Sequence, residues 1–322
     1  MKRKLIPIIV LLGTLCLAGC AKENQERKDM NIFEESSVMQ EWKENLPESD
    51  IAVDSALIRG LSIEKDGEEK FTIAYSPKDY KSSFAWWEIS EPYTTQATVN
   101  TEELYSLMNQ LDGIELNTEK QLPEETGILD SDTYITIALS SGTDQSEADS
   151  VLRFRIGESD GNGHVYVSSG AGETTGTLPE SAVNTLLTLD PYDYILKIPV
   201  LPDITTVSDV EVEKAGELYT MSHKGEQYVI NSREVDEEQY NETYQTLLNI
   251  LITGETKNEE IEDANQEPIL TLRFFRNTDK ASDIEVVYYP YNDTSALISI
   301  NGEMSFLADL EKIENVCNIL FN

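Results

Sequence analysis

The chain is poor in the residues from which catalytic and metal centres are usually built. It has 2 histidines in 322 residues, His164 and His223, far apart in sequence. A His-based triad or a zinc site of the usual ligand spacing has no footing on such a pair. Cysteine is nearly as scarce, with 3 in all: Cys16, Cys20 and Cys317. Cys16 falls in an N-terminal leader and Cys20 at its end, so no intramolecular disulfide is expected in the mature chain, and a packed core must carry the stability. Cys317 sits in "LEKIENVCNIL" at helical spacing with Ile313 and Leu320 and reads as a buried thiol.

Basic residues are also few. Lys and Arg total 24 against 60 Asp and Glu, a net charge of −36. Binding phosphates needs clustered cations, so nucleic acid is excluded as a partner. The same imbalance argues against lying flat on an anionic membrane and fits a solvated acidic surface. No Gly-x-Ser-x-Gly elbow and no phosphate-binding glycine loop with its lysine occurs. "SSGAGETTG" (168–176) is glycine-rich, but it lacks a following lysine and helix and reads as a hairpin loop. No cofactor or metal is expected.

The apolar run that does occur is at the N-terminus, in "MKRKLIPIIVLLGTLCLAGCAKE". Lys2, Arg3 and Lys4 precede an apolar stretch over 5–17, of signal-peptide rather than membrane-spanning length. It ends in Leu17, Ala18, Gly19 and Cys20, the pattern of a bacterial lipobox, whose cysteine is diacylated and becomes the first residue of the mature chain. The expectation is a lipoprotein signal peptide over 1–19 and an extracytoplasmic protein on the outer face of the cytoplasmic membrane. The lipid bilayer would be its first partner, through acylated Cys20. Residues 20–52 are rich in charge and read as a flexible acidic tether, with a short helical turn allowed around Trp42.

Beyond the tether, one order of elements occurs twice. Alternating strand-like runs around Asp66-Gly67, a strand at 83–90 and an amphipathic helix with Leu104, Leu107, Met108 and Leu111 on one face form the opening, with Thr101 as its expected cap. Strands at 133–140, 150–158, 163–170 and 173–178 follow, then a helix opened by Pro179. The second round has strands over 210–232 and a helix with Tyr240, Tyr244, Leu247, Leu248 and Leu251 on one side. Strands at 268–275, 283–290 and 295–302 follow, then a last helix over about 307–321. Proline-rich 189–207 separates the rounds. The expected fold class is α+β: two tandem copies of a mostly antiparallel sheet covered by helices on one face, over 53–198 and 199–322. A groove between the two sheets is the expected place for a ligand.

Several segments carry a resemblance to a known family. These are "WWEISEP" (86–92), the helix "VNTEELYSLMNQLDGIE", "TGILDSDTYITI" (126–137), "LRFRIGE" (152–158), "GHVYVSSG" (163–170), "YDYILK" (192–197) and "PDITTVSDVEVE" (202–213). Together, over roughly 57–230, the chain resembles the DUF4340 family of envelope lipoproteins and related proteins. Asp132 departs from the proline that the family has in the turn before its strand. The resemblance implies a non-catalytic binding or scaffold module, and as partners an ABC-transporter assembly or other envelope proteins.

Candidate sites are few. Trp86 and Trp87 are consecutive on a strand and must face opposite ways, one into the core and one toward an edge or a ligand such as a sugar or peptide. The alternative function is therefore a glycan or small-ligand binder, and a hydrolase working through a carboxylate pair is a third reading. "DSDTY" (130–134) and "ESDGNG" (158–163) resemble calcium loops without completing the spacing. Tyr288, Tyr289 and Tyr291 invite the same core-or-ligand question as the tryptophans. "LPEETG" (122–127) nearly spells a sortase signal, but it has one residue too many and a long patterned chain follows it, so it reads as a loop.

Overall fold

In the computed structural model of the chain, residues 38–48, 52–93, 97–114, 116, 125–169, 174–256 and 267–321 are described. The leader, the lipobox residues Leu17, Ala18 and Gly19, the lipidation residue Cys20 and the first part of the tether lie outside them. Among the described residues the architecture is mixed α+β, with two antiparallel sheets of 7 and 9 strands and five helices.

The first sheet contains β1 (Ile58–Lys65), β2 (Glu68–Tyr75), β3 (Trp87–Glu91), β4 (Tyr134–Leu139), β5 (Ser150–Ser159), β6 (His164–Ser169) and β7 (Thr174–Pro179), in the order β3-β2-β1-β4-β5-β6-β7. The second contains β8 (Val207–Lys214), β9 (Glu217–Lys224), β10 (Gln227–Ile230), β11 (Arg233–Val235), β12 (Ile252–Glu255), β13 (Leu270–Arg276), β14 (Ile284–Pro290), β15 (Ser295–Ile300) and β16 (Glu303–Asp309). Its order is β11-β10-β9-β8-β13-β14-β15-β16-β12. From β3 to β7 and from β10 to β16 the two orders correspond strand for strand. The β1–β2 hairpin turns at Asp66-Gly67 (φ 57° and 76°) and the β8–β9 hairpin at Ala215-Gly216 (49° and 84°). Both turns are left-handed, which matches the twist of the flanking strands.

Strand alternation builds the core in rows that cross each sheet. In the first sheet Ile73, Leu61, Ile137 and Leu152 are successive cross-strand partners, as are Phe71, Ile63, Ile135 and Phe154. In the second, Val212, Leu272, Val286 and Ile300 form one row and Leu270, Tyr288, Ile298 and Phe306 another. All sixteen side chains join one continuous cluster. Four helices feed the same cluster: α2 (Thr101–Gln110) through Leu104, Leu107 and Met108, and α3 (Glu180–Leu187) through Val183 and Leu186. From the later helices, α4 (Glu237–Leu248) adds Tyr240, Tyr244 and Leu247, and α5 (Leu310–Phe321) adds Ile313, Val316, Cys317 and Leu320.

The expected tether and the expected single helical face both need correction. Residues Val38–Asn45 form a helix, α1, whose Met39 and Trp42 are buried against Ala74, Ala138, Ala148 and Val151. Ala74, Ala138 and Val151 alternate with the inward Ile73, Ile137 and Leu152, so α1 packs on the opposite face of the first sheet from α2. Gly60 makes room for it, because a Cβ there would lie 2.6 Å from the Met39 sulfur.

Smaller corrections follow from capping and edges. Asn100, not Thr101, caps α2, its side chain accepting from the Glu102 N–H at 3.2 Å. Pro179 closes β7 and sits one residue before α3. Leu251 lies beyond α4 and is exposed. The start of the last expected helix is strand β16 instead. The connector at 189–207 is hydrogen-bonded on both sides. Its Leu196 N–H donates to Thr98 O at 2.6 Å, and its Lys197 carbonyl accepts from Ile252 N–H at 2.9 Å. Between the sheets, Tyr93 stacks on Phe306 at 4.9 Å and donates its hydroxyl to Glu255.

Candidate functional site

A cavity of about 500 Å³ opens beside β1, β2 and β3, between α2 and the loop that follows β4. Every residue that lines it lies between 55 and 146, so it belongs to the first sheet and is not the inter-sheet groove expected from the sequence. Three aromatic side chains wall it. Tyr75 and Trp87 are cross-strand partners on β2 and β3, their rings 5.3 Å apart. Tyr105 stands on the outer side of α2, half exposed, and its hydroxyl accepts from Trp87 Nε1 at 3.2 Å.

The strand expected at 83–90 begins only at Trp87, after a short helical turn over Ser83–Ala85 that ends at Trp86, and this separates the tryptophan pair. Trp87 is the buried member, 4% exposed, and lines the cavity. Trp86 precedes β3, packs edge-on against Tyr75 at 6.0 Å, and donates Nε1 to the Lys81 carbonyl at 3.3 Å. Trp86 is not among the residues that line the cavity. The structure therefore brings one of the two predicted residues to the site and leaves the other as support.

Arg59 on β1 was not singled out in the sequence, yet it organises the rim. Its side chain is buried, and its guanidinium donates only to main-chain carbonyls. Nε reaches Gln145 at 2.8 Å; Nη1 reaches Ala56 at 3.0 Å and Ile58 at 2.9 Å; Nη2 reaches Gly142 at 3.3 Å and Thr143 at 3.2 Å. That uses all five guanidinium protons. Among the described residues no carboxylate forms an ion pair with it. The charge lies over the Tyr75 ring, 5.7 Å from its centre. Burial pushes the Tyr75 phenol above its ordinary value, with Tyr105 adding to the rise and Arg59 opposing it, so Tyr75 is neutral at physiological pH. The rim loop is held a second time at its base. Ser141 hydrogen-bonds Asp149, with its N–H donating to Oδ2 at 2.7 Å, and this bonding holds the Asp149 carboxyl below the usual range.

The other candidates do not converge on this site. His164 is exposed near Asp160, 3.6 Å away, and His223 lies in the second sheet against Tyr228 and Tyr240. Asp160 accepts from the N–H groups of Asn162 and His164, which hold its pKa down and shape a local turn. Among the described residues no group of three or more His, Cys, Asp or Glu side chains is placed to hold a metal ion. Tyr288 is core, in the row given above. Residues 122–124 of the sortase-like stretch lie outside the described residues. Thr126 is fully buried, and its carbonyl accepts from Glu158 N–H at 2.8 Å, which packs this turn onto β5.

No family model, no curated protein and no solved structure matches the chain.

Proposed function

We propose that the chain is a lipid-anchored, extracytoplasmic binding module without catalytic activity, held at the outer face of the cytoplasmic membrane by acylated Cys20, with the cavity at Trp87 as its recognition site. The observation that carries this reading is the preorganised cavity. Its aromatic wall is locked by ring contacts and the Trp87–Tyr105 hydrogen bond, and its rim is fixed by Arg59. A site ordered before its ligand arrives spends little of the interaction on ordering. Among the described residues its lining includes a single carboxylate, Asp144, whereas hydrolysis by an acid pair needs two that converge.

The two sheets are, in this reading, tandem copies of one ancestral plan. Support comes from the corresponding strand orders, the equivalent left-handed hairpins, and a helix at the same place after β3 and after β10–β11. A further parallel is the short turn before each first long strand, capped by Asp54 in one case and Asp203 in the other. The resemblance to the DUF4340 family supplies the partner, an ABC-transporter assembly or another envelope protein.

Affinity purification from cross-linked membranes tests the reading. The wild type should carry a permease, transporter ATPase or other envelope protein with it, and Cys20→Ala should leave the membrane fraction and lose that partner. Wild-type chain that fractionates as a soluble protein, or that brings down no envelope component, contradicts it.

A further inference from the structure

The chemistry of the cavity narrows what it can hold. An anionic ligand finds no donor on Arg59, because its five bonds already go to main-chain carbonyls, and among the described residues no lysine lines the cavity. A cationic ligand finds one carboxylate on the described lining, the exposed Asp144, but it meets the buried Arg59 charge, which already occupies the Tyr75 ring. It also finds no aromatic cage, because the Tyr75–Trp87 and Trp87–Tyr105 ring centres are only 5.3 and 6.4 Å apart and the rings touch each other. A purely apolar ligand would strip water from the neutral polar groups around the opening, Ser55, Asn109, Gln145 and Ser146, without replacing it.

What fits is an uncharged ligand with one apolar face and a periphery of hydroxyl or amide groups. We infer that the cavity binds a short neutral saccharide, its C–H face against Tyr105 and its hydroxyls toward the amides of Asn109 and Gln145. The volume of about 500 Å³ lies inside the roughly 300–1,000 Å³ usual for small-ligand sites. Half-exposed Tyr105 offers a platform whose orientation is set by the bond from Trp87. This assignment rests on the cavity being a recognition site, and it does not depend on the anchor or on the envelope partner.

Isothermal titration of the purified full chain tests it with three probe types. These are neutral oligosaccharides (N,N′-diacetylchitobiose, cellobiose and maltotriose), the cationic deacetylated chitobiose, and the anionic digalacturonate. At least one neutral probe should bind, and the charged probes should not. Asn109→Ala changes an exposed side chain on α2 and should keep the wild-type melting temperature, whereas Tyr105→Ala also removes the acceptor of Trp87 Nε1 and should lower it. Tyr105→Ala should weaken the neutral probe by about tenfold or more, the size expected for an aromatic anchor, and Asn109→Ala should weaken it severalfold. No heat from any neutral probe at millimolar concentration overturns the assignment. So does tighter binding of a charged probe, or neutral binding that Tyr105→Ala leaves unchanged. Failure here alongside Cys20-dependent membrane association and an envelope partner refutes the saccharide alone. Loss of those two with intact titration refutes the anchored-module reading instead.

Discussion

At the scale of single residues, Arg59 and Gly157 carry more structure than their neighbours in sequence suggest. Arg59→Met would take the guanidinium donor from five carbonyls of the rim and of the start of β1, of which Gly142 keeps bonds from Ser140 Oγ and Gln145 N–H. A loss of about 2–4 kcal/mol is expected, since buried polar groups deprived of partners cost about 1–3 kcal/mol each when water cannot reach them. Arg59→Lys should not restore the wild-type urea midpoint, because an ammonium has three donors and no planar fork. A midpoint for Arg59→Met equal to the wild type would refute the rim role. At Gly157 a Cβ would lie 2.4 Å from the Thr126 carbonyl oxygen and 2.8 Å from Ile128. Gly157→Ala should therefore cost about 1–3 kcal/mol through overpacking, while Gly142→Ala, with nothing within 4 Å, serves as the neutral control. The tryptophan pair was legible in sequence as one core and one supporting residue, but not for the expected reason: residues 83–85 form a short helical turn, Trp86 ends it, and the strand begins only at Trp87. Arg59 was not legible. Its partners Gly142, Thr143 and Gln145 lie on a loop more than eighty positions away, and all five of its bonds go to main-chain carbonyls, which any residue type supplies.

Secondary-structure elements were readable wherever apolar periodicity ran long enough. The β1–β2 hairpin, β4, β5, β13 and helices α2 and α4 show it clearly. The short strands β11 and β12, with 3 and 4 residues, are too brief for alternation to register, and β16 runs straight into α5 with no breaker between them. Helix α1 was legible only as a short helical turn allowed around Trp42, since its two buried side chains, Met39 and Trp42, stand among polar and charged ones. Its surface neighbours show why it matters: Lys43 pairs with Glu69 on β2, and Met39 and Trp42 cover alanines that would otherwise be open to water. Trp42→Ala should destabilise the protein by about 3 kcal/mol, at the low end of values for buried tryptophan because α1 lies at the margin of the fold. Hydrogen exchange should then speed up first in 38–45. Unchanged protection of that segment in Trp42→Ala would mean that the second cluster contributes nothing to holding the helix.

Over the whole molecule, the mixed α+β class with antiparallel sheets and the acidic composition were visible in sequence, while the contacts between the segments of the two sheets were not. The contacts that join them link residues more than a hundred positions apart: Tyr93 with Phe306 and Glu255, Ser82 with Asp203 at 3.1 Å, and Arg276 with the Tyr80 carbonyl at 3.3 Å. Asp203 gives the junction a pH dependence. Burial pushes its carboxyl up, but hydrogen bonds from Thr205 and Ser82 and the nearby Arg276 charge outweigh that and hold its pKa below 3.8. A carboxyl whose folded pKa is depressed adds stability above its unfolded pKa and loses it as pH falls through the folded value. Unfolding midpoints should therefore drop below pH 4 in the wild type and drop less steeply there in Asp203→Asn. Equal slopes for the two would remove Asp203 from the explanation. With a net charge of −36, self-repulsion should also make the melting temperature rise between low and physiological salt.

The claim on which the function rests, that this module works from a lipid anchor, is tested most directly by mass spectrometry of the N-terminal peptide from protein extracted from membranes. The expected peptide begins at Cys20 and carries a diacylglyceryl group on its sulfur. A peptide beginning at Met1, or a Cys20 with a free thiol, contradicts it.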